Sequence, residues 1–148
     1  METKKMSILL VEDDEDDRMF FAEALESLKL NCELHQVPNG KSCLEFVERA
    51  AENGPDLIFL DLNMPTMNGA KCLEQIRQNE NMRDVMIAIY STSDAEKDIE
   101  KTYSLGADLY VKKPSSFKDL KSLLKKVITT QWKRPLSTKK KEDFVFKV

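Results

Sequence analysis

The stretch Asp56-Leu57-Ile58-Phe59-Leu60-Asp61-Leu62-Asn63-Met64-Pro65 decides the fold. Leu57 to Leu60 is an unbroken apolar run of strand length, the pattern of a parallel strand covered on both faces rather than the alternation of a half-solvated one. The strand stops on Asp61. Met64-Pro65 keeps it from resuming, because proline lacks a backbone donor and restricts the residue before it. Asn68-Gly69 then supplies a turn signal ahead of a helical pattern. An acid at the carboxyl end of a buried parallel strand lies on the rim where open α/β sheets bind ligands. A lone aspartate after a strand more often caps a loop, so the weight of Asp61 depends on what else reaches that rim.

Three other runs of the same kind flank it. Ile8 to Val11 ends in six successive acids, Glu12-Asp13-Asp14-Glu15-Asp16-Asp17. Such density needs a compensating cation or a helix N-terminus, and Asp16 and Asp17 suit the start of the next helix, where the dipole favours acids. That helix carries Phe21, Ala24, Leu25 and Leu28 on one stripe. Val85 to Tyr90 ends in Ser91-Thr92-Ser93-Asp94, and Leu109-Tyr110-Val111 ends in Lys112-Lys113-Pro114. Ser, Thr and Asp are favoured helix caps, so Ser91 to Asp94 also reads as the start of a helix with Ala95, Ile99 and Tyr103, closed by a capping Gly106.

Cys32 to Val37 alternates and suits a more exposed strand near the sheet edge. His35, the one histidine, has no ligand partner at metal spacing and reads as a solvent-facing strand residue. Pro38-Asn39-Gly40 opens a helix with Cys43 or Leu44, Val47 and Ala50 or Ala51 inward. Leu73 and Ile76 mark a helix over residues 70–78, and a polar connection follows to Asp84. The last helix has Phe117, Leu120, Leu124, Val127 and Ile128 on one stripe, with Leu123 beside it. Five strands alternating with five helices predict a doubly wound parallel α/β sheet with right-handed crossovers.

Residues 1–131 read as one domain, and 148 residues suffice to bury roughly two thirds of the unfolded surface. Residues 132–148, with Trp132, Pro135, Lys139-Lys140-Lys141 and Phe144-Val145-Phe146, read as a tail without a domain of its own. Its apolar end either lacks order or docks on the domain or on a second subunit. The formal charge is -3, from 23 basic and 26 acidic residues, and gives no electrostatic reason to expect nucleic acid. Cys32, Cys43 and Cys72 lack metal spacing and read as reduced thiols of a cytoplasmic protein. The amino-terminal apolar run leads into acids instead of a cleavage site, and no stretch reaches the roughly 20 apolar residues of a membrane span.

The separate signals fall on one edge. Glu12 and Asp13 follow strand one, Asp61 strand three, Ser91 strand four and Lys113 strand five, and carboxyl ends of parallel strands share a rim. Converging carboxylates repel unless a hard cation is bound, and oxygen donors with room for water suit Mg²⁺. With an ammonium and a hydroxyl added, the set fits a group with several anionic oxygens, such as a phosphoryl group. A carboxylate held by metal can attack phosphorus and form an aspartyl phosphate.

Val11-Glu12-Asp13-Asp14, Leu60-Asp61-Leu62-Asn63-Met64-Pro65 with Asn68-Gly69, Ser91-Thr92, and Gly106-Ala107 through Tyr110 to Lys113-Pro114 resemble the receiver domain of two-component response regulators, the CheY-like family. The resemblance covers about residues 5–130 and implies a flavodoxin-like sheet with strand order 2-1-3-4-5. It implies that Asp61 is the phosphoacceptor. Asp13 would ligate Mg²⁺ directly, Glu12 through water, and Asn63 through its backbone carbonyl. Ser91 would be the switch hydroxyl, Lys113 the partner of the phosphoryl group and Tyr110 the aromatic switch that turns inward. Lys113 is preferred to Lys112 because the family lysine directly precedes the proline. Glu12 stands where many members have Asp, and Ser91 where Thr is commonest.

The implied activity is a phosphoacceptor switch rather than a turnover enzyme. A histidine kinase or phosphotransfer protein supplies phosphohistidine, and the surface of helix four, strand five and helix five then changes its affinity for a downstream protein. The 17 residues after Gln131 are too few for a DNA-binding domain, so the output is expected to be protein binding. The tail with Trp132 resembles that of stand-alone receivers paired with phytochrome-like or hybrid histidine kinases, some of which dimerise, which adds a homodimer to the implied partners. A haloacid-dehalogenase-type hydrolase needs a second acid where Asn63 stands, and a P-loop switch lacks its glycine-lysine loop. A degenerate receiver acting only as a binding module would not need the intact set of Glu12, Asp13, Asp61, Ser91 and Lys113.

Overall fold

The computed structural model describes residues 5–64, 67–130 and 144–146. Each apolar run becomes a strand: β1 (Met6–Val11), β2 (Cys32–Val37), β3 (Leu57–Leu60), β4 (Met86–Ser91) and β5 (Leu109–Lys112). Helices α1 (Glu15–Ser27), α2 (Gly40–Ala50), α3 (Gly69–Gln78), α4 (Glu96–Ser104) and α5 (Phe117–Thr129) alternate with them. Every strand pairing is parallel, in the order β2-β1-β3-β4-β5, and β2 forms the more exposed edge.

Successive strand residues point to opposite faces, so the sheet divides two apolar layers. Leu9, Val11, Ile58, Leu60, Ile87, Ile89 and Tyr110 pack with Cys43 and Val47 of α2, Cys72, Leu73 and Ile76 of α3, and Ile99 of α4. Ile8, Leu10, Leu57, Phe59, Ala88, Tyr90 and Val111 pack with Phe21, Ala24 and Leu25 of α1 and with Leu120, Leu123, Leu124, Val127 and Ile128 of α5. Burial on both faces is the reason the runs are continuous.

A sixth strand, β6 (Val145–Phe146), extends the expected five by pairing in parallel with Tyr110 and Val111 of β5. The apolar end of the tail is therefore docked on the domain. Phe144 is fully buried, with its ring 5.2 Å from that of Tyr103 and 6.1 Å from that of Tyr110. Desolvating an aromatic side chain and pairing an open strand edge together outweigh the chain entropy that favoured an unordered end. Pro65, Trp132, Pro135 and the lysines at 139–141 lie outside the described residues.

Three local expectations are corrected. The N-cap of α4 is Ala95, without a side-chain cap. Asp94 turns outward to Lys112 at 3.1 Å, while Ser93 takes over the turn by accepting from the Ala95 amide and donating to Asp98 at 2.7 Å. Phe117 is not in the core stripe. It opens α5, where it remains partly exposed and meets the ring of Phe20 at 5.6 Å. His35 is half-buried, with its ring 5.2 Å from that of Phe46 and Nε2 3.5 Å from Glu33. Within the polar connection after α3, Met82 enters the core, and Arg77 closes the segment through bonds to the carbonyls of Met82, Val85 and Gly106 and to the Asp108 carboxylate at 2.7 Å.

Candidate functional site

The rim at the carboxyl ends of β1, β3, β4 and β5 brings together Glu12, Asp13, Asp61, Ser91 and Lys113. Glu12 and Asp61 are buried, with only 1% and 4% of their surface exposed, while Asp13 faces solvent. One carboxylate oxygen from each of the three acids lies within 4.8 Å of the others. This is a hard, all-oxygen donor set, half open to water, and it fits Mg²⁺ or another small divalent cation better than a soft metal.

Backbone pairing places each member. Glu12 donates its amide to Val37 of the neighbouring strand, and Asp61 donates its amide to Val11. Asp14 caps α1 by accepting from the amides of Asp16 and Asp17, which turns the acidic run away from the sheet after Asp13. Arg18, one turn further on, donates to the carbonyls of Glu12 at 2.7 Å and Asp13 at 3.1 Å and locks the loop between them. After Asp61 the chain passes Asn63, whose amide donates to Asp61 Oδ1 at 3.3 Å, and returns to the rim at Gly69. A Cβ at position 69 would overlap the carbonyl of Asp61 and come 2.7 Å from Leu62 Cα, so glycine is required by close approach of the two backbone segments.

Lys113 comes from the residue after β5, and its backbone amide is held by the Ser91 carbonyl at 2.8 Å. Its ammonium lies 2.5 Å from Glu12 Oε1, 3.1 Å from Asp17 Oδ2 and 3.9 Å from Asp61 Oδ1, with the ring of Tyr90 at 5.3 Å. Lys112 instead points outward to Asp94. Ser91 is fully buried at the end of β4, and its Oγ accepts from the Ser93 amide at 3.1 Å. Tyr110 lies on the opposite sheet face from Tyr90. It is buried, and its hydroxyl donates to the Ser93 carbonyl at 2.8 Å. The ring expected to turn inward is already inward here, because Phe144 and the Ser93 carbonyl hold it.

Asp61 is pushed up to about 7, first by burial and then by the negative charge of Glu12, with the Lys113 ammonium and the Asn63 amide only partly offsetting them. Burial pulls Lys113 down, yet the hydrogen bond to Glu12 and the charges of Asp61, Glu12 and Asp17 outweigh it and leave the ammonium above its ordinary value. The Asp61 carboxyl thus holds a proton more readily than a surface aspartate. A divalent cation at the three acids would lower that proton affinity and leave the carboxylate free to react. Sequence reasoning missed Asp17, Arg18 and Tyr90. Asp17 was absorbed into the helix-dipole reading of the acidic run, and the other two carry no motif of their own.

Residues 8–125 match the family described as the response regulator receiver domain. The chain belongs to the response regulator receiver family. This receiver is 32% identical over 124 residues to the probable methanogenesis regulatory protein FilR2 of Methanothrix harundinacea, covering 81% of this chain and 79% of that one. It is also 32% identical over 117 residues to the response regulator Rcp1 of Synechocystis, covering 76% and 80%. Among solved structures, the Mn²⁺-bound form of Rcp1 superposes with a TM-score of 0.77 at 29% identity, covering 86% of this receiver and 98% of that chain. The phosphorylated cyanobacterial phytochrome response regulator RcpA gives 0.79 at 28%, covering 88% and 99%. The protein is thus a CheY-like receiver domain of two-component signalling, a class of phosphoacceptor switches.

Proposed function

We propose that this receiver takes a phosphoryl group on Asp61 from the phosphohistidine of a sensor histidine kinase or phosphotransfer protein, in a Mg²⁺-dependent step, and thereby switches a protein-binding surface. The observation that carries the reading is the convergence of Glu12, Asp13 and Asp61 with the Lys113 ammonium and the Ser91 hydroxyl at one rim. The Asp61 carboxylate attacks phosphorus, a P–O bond forms as the P–N bond to histidine breaks, and the imidazole leaves. The carboxylates of Glu12, Asp13 and Asp61 and the backbone carbonyl of Asn63 would hold the cation, Glu12 through water. A bound Mg²⁺ supplies charge neutralisation for the transferring oxygens. Lys113 adds a second positive charge 3.9 Å from Asp61 Oδ1.

The Ser91 hydroxyl, released from the Ser93 amide, donates to a phosphoryl oxygen. That movement loosens the turn whose Ser93 carbonyl holds Tyr110, so the α4, β5 and α5 face is the surface whose affinity changes. Catalysis in this reading extends only to the receiver's own phosphorylation and dephosphorylation. The output is a downstream protein, and a second copy of the chain stays among the partners. The native mass of the unmodified and phosphorylated forms decides the latter. The described thiols, none in a disulfide, go with a cytoplasmic setting.

The test is intact-mass spectrometry of the protein and its Asp61→Asn variant, each incubated with acetyl phosphate with and without Mg²⁺. A single phosphoryl adduct that needs Mg²⁺ and is absent from the variant is expected. No adduct under any condition would leave a receiver-shaped binding module.

A further inference from the structure

The Lys113 ammonium has two acidic hydrogen-bond partners, and only Glu12 belongs to the three-acid cluster. The other, Asp17, stands in the first turn of α1, where its amide is already capped by Asp14 and its carboxylate is free to reach across to the lysine at 3.1 Å. A lysine side chain is a flexible stem with a point charge at its tip, so the location of that charge depends on what holds it. Here Asp17 and Glu12 together hold Nζ over the Tyr90 ring, 3.9 Å from the acceptor oxygen.

We propose that Asp17 is a positioning residue for phosphoryl transfer, acting through Lys113. The inference rests on the phosphoacceptor reading of Asp61. Once Glu12 shares its charge with a cation, Asp17 is the anion that remains dedicated to the ammonium. An oxygen of a phosphoryl group arriving at Asp61 Oδ1 then meets a charge already in place, and the reaction is spared the cost of ordering the lysine stem. The position is set by the register of the acidic run. The cap at Asp14 puts residue 17 in the first helical turn, next to the end of β5.

The experiment measures the rate of adduct formation with phosphoramidate or acetyl phosphate at saturating Mg²⁺. Wild type, Asp17→Asn and Asp17→Glu are each compared, alone and in a Lys113→Met background. Asp17 is half-exposed, so the exposed-pair range applies, and Asp17→Asn is expected to slow the reaction about threefold to fivefold. Asp17→Glu, which keeps the charge and can still reach Nζ, is expected to recover most of the rate. In the Lys113→Met background, Asp17→Asn is expected to cause no slowing, because there is no ammonium left to position. A general charge effect has the opposite sign, since removing an acid favours an anionic donor, and it would persist without the lysine. Equal rates for wild type and Asp17→Asn, or the same slowing with Lys113 absent, would overturn the inference while leaving Asp61 as the acceptor. Failure of the wild type to form any adduct would remove the phosphoacceptor reading and this inference with it.

Discussion

Asp61→Asn is expected to stabilise the metal-free protein at neutral and alkaline pH and to lose that effect in acid. The wild-type carboxyl is pushed from 3.8 to about 7 by burial and by Glu12. Between those two values the native state binds a proton that the unfolded chain releases, so stability falls as pH rises through the window and the cost is complete above about 7. About three pH units at 1.36 kcal/mol each set a ceiling of about 4 kcal/mol. Relaxation of Lys113 and Glu12 around the charge lowers the expected gain of the variant to about 1–2 kcal/mol, less than half of that ceiling. For a chain of this length that is a rise of roughly 3–6 °C in Tm. The assay is a pair of thermal or urea melts in EDTA at pH 8 and pH 4.5. Adding Mg²⁺ at pH 8 is expected to stabilise the wild type by mass action and the variant much less. A variant no more stable than wild type at pH 8, or equally favoured at both pH values, would refute the argument that Asp61 is a destabilised, cation-seeking carboxylate.

Two further outcomes test the frame around the site. Arg77→Ala removes the ion pair to Asp108, which is almost fully buried, together with the hydrogen bonds to the carbonyls of Met82, Val85 and Gly106. A loss of about 3–5 kcal/mol in urea unfolding is expected, and a loss under 1 kcal/mol would show that the network is dispensable. Phe144→Ala is expected to release β6 without unfolding the domain, so amide exchange should speed up along β5 next to Tyr110 and Val111 and stay unchanged in β1 and β3. Uniform acceleration across the sheet would mean instead that Phe144 belongs to the global core.

Much of this was legible in the residues, for local reasons. Four of the strands announce themselves as unbroken apolar runs because both faces of a doubly wound sheet are covered. The rim was legible because each of those runs stops on a carboxylate, a hydroxyl or an amine, at Glu12, Asp61, Ser91 and, after Lys112, Lys113. Other features depended on contacts that leave no periodic trace. Asp94 resembles a helix cap by type, yet a lysine across the turn and the Ser93 hydroxyl drew it out of that role. Phe117 follows the α5 period but precedes the point where the helix reaches the sheet, so its ring met Phe20 at the surface. β6 is two residues long, and nothing in Phe144-Val145-Phe146 names the edge it pairs with.

The sequence by itself determined the class of fold, the direction of the strands and the identity of the groups on their carboxyl ends. These follow from hydrophobic pattern, chain breaks and side-chain chemistry, which act over a few residues. Only the tertiary structure decided which acids share the lysine, that Asp17 is one of them, and that Tyr110 is held inward by a residue 34 positions later. It also decided that the Asp61 carboxyl sits near neutrality, since that depends on how deeply it is buried and on its separation from Glu12 and Lys113. Charge interactions and burial are set by distance in space, and residues 12, 17, 61 and 113 come within bonding range only when the sheet closes around them.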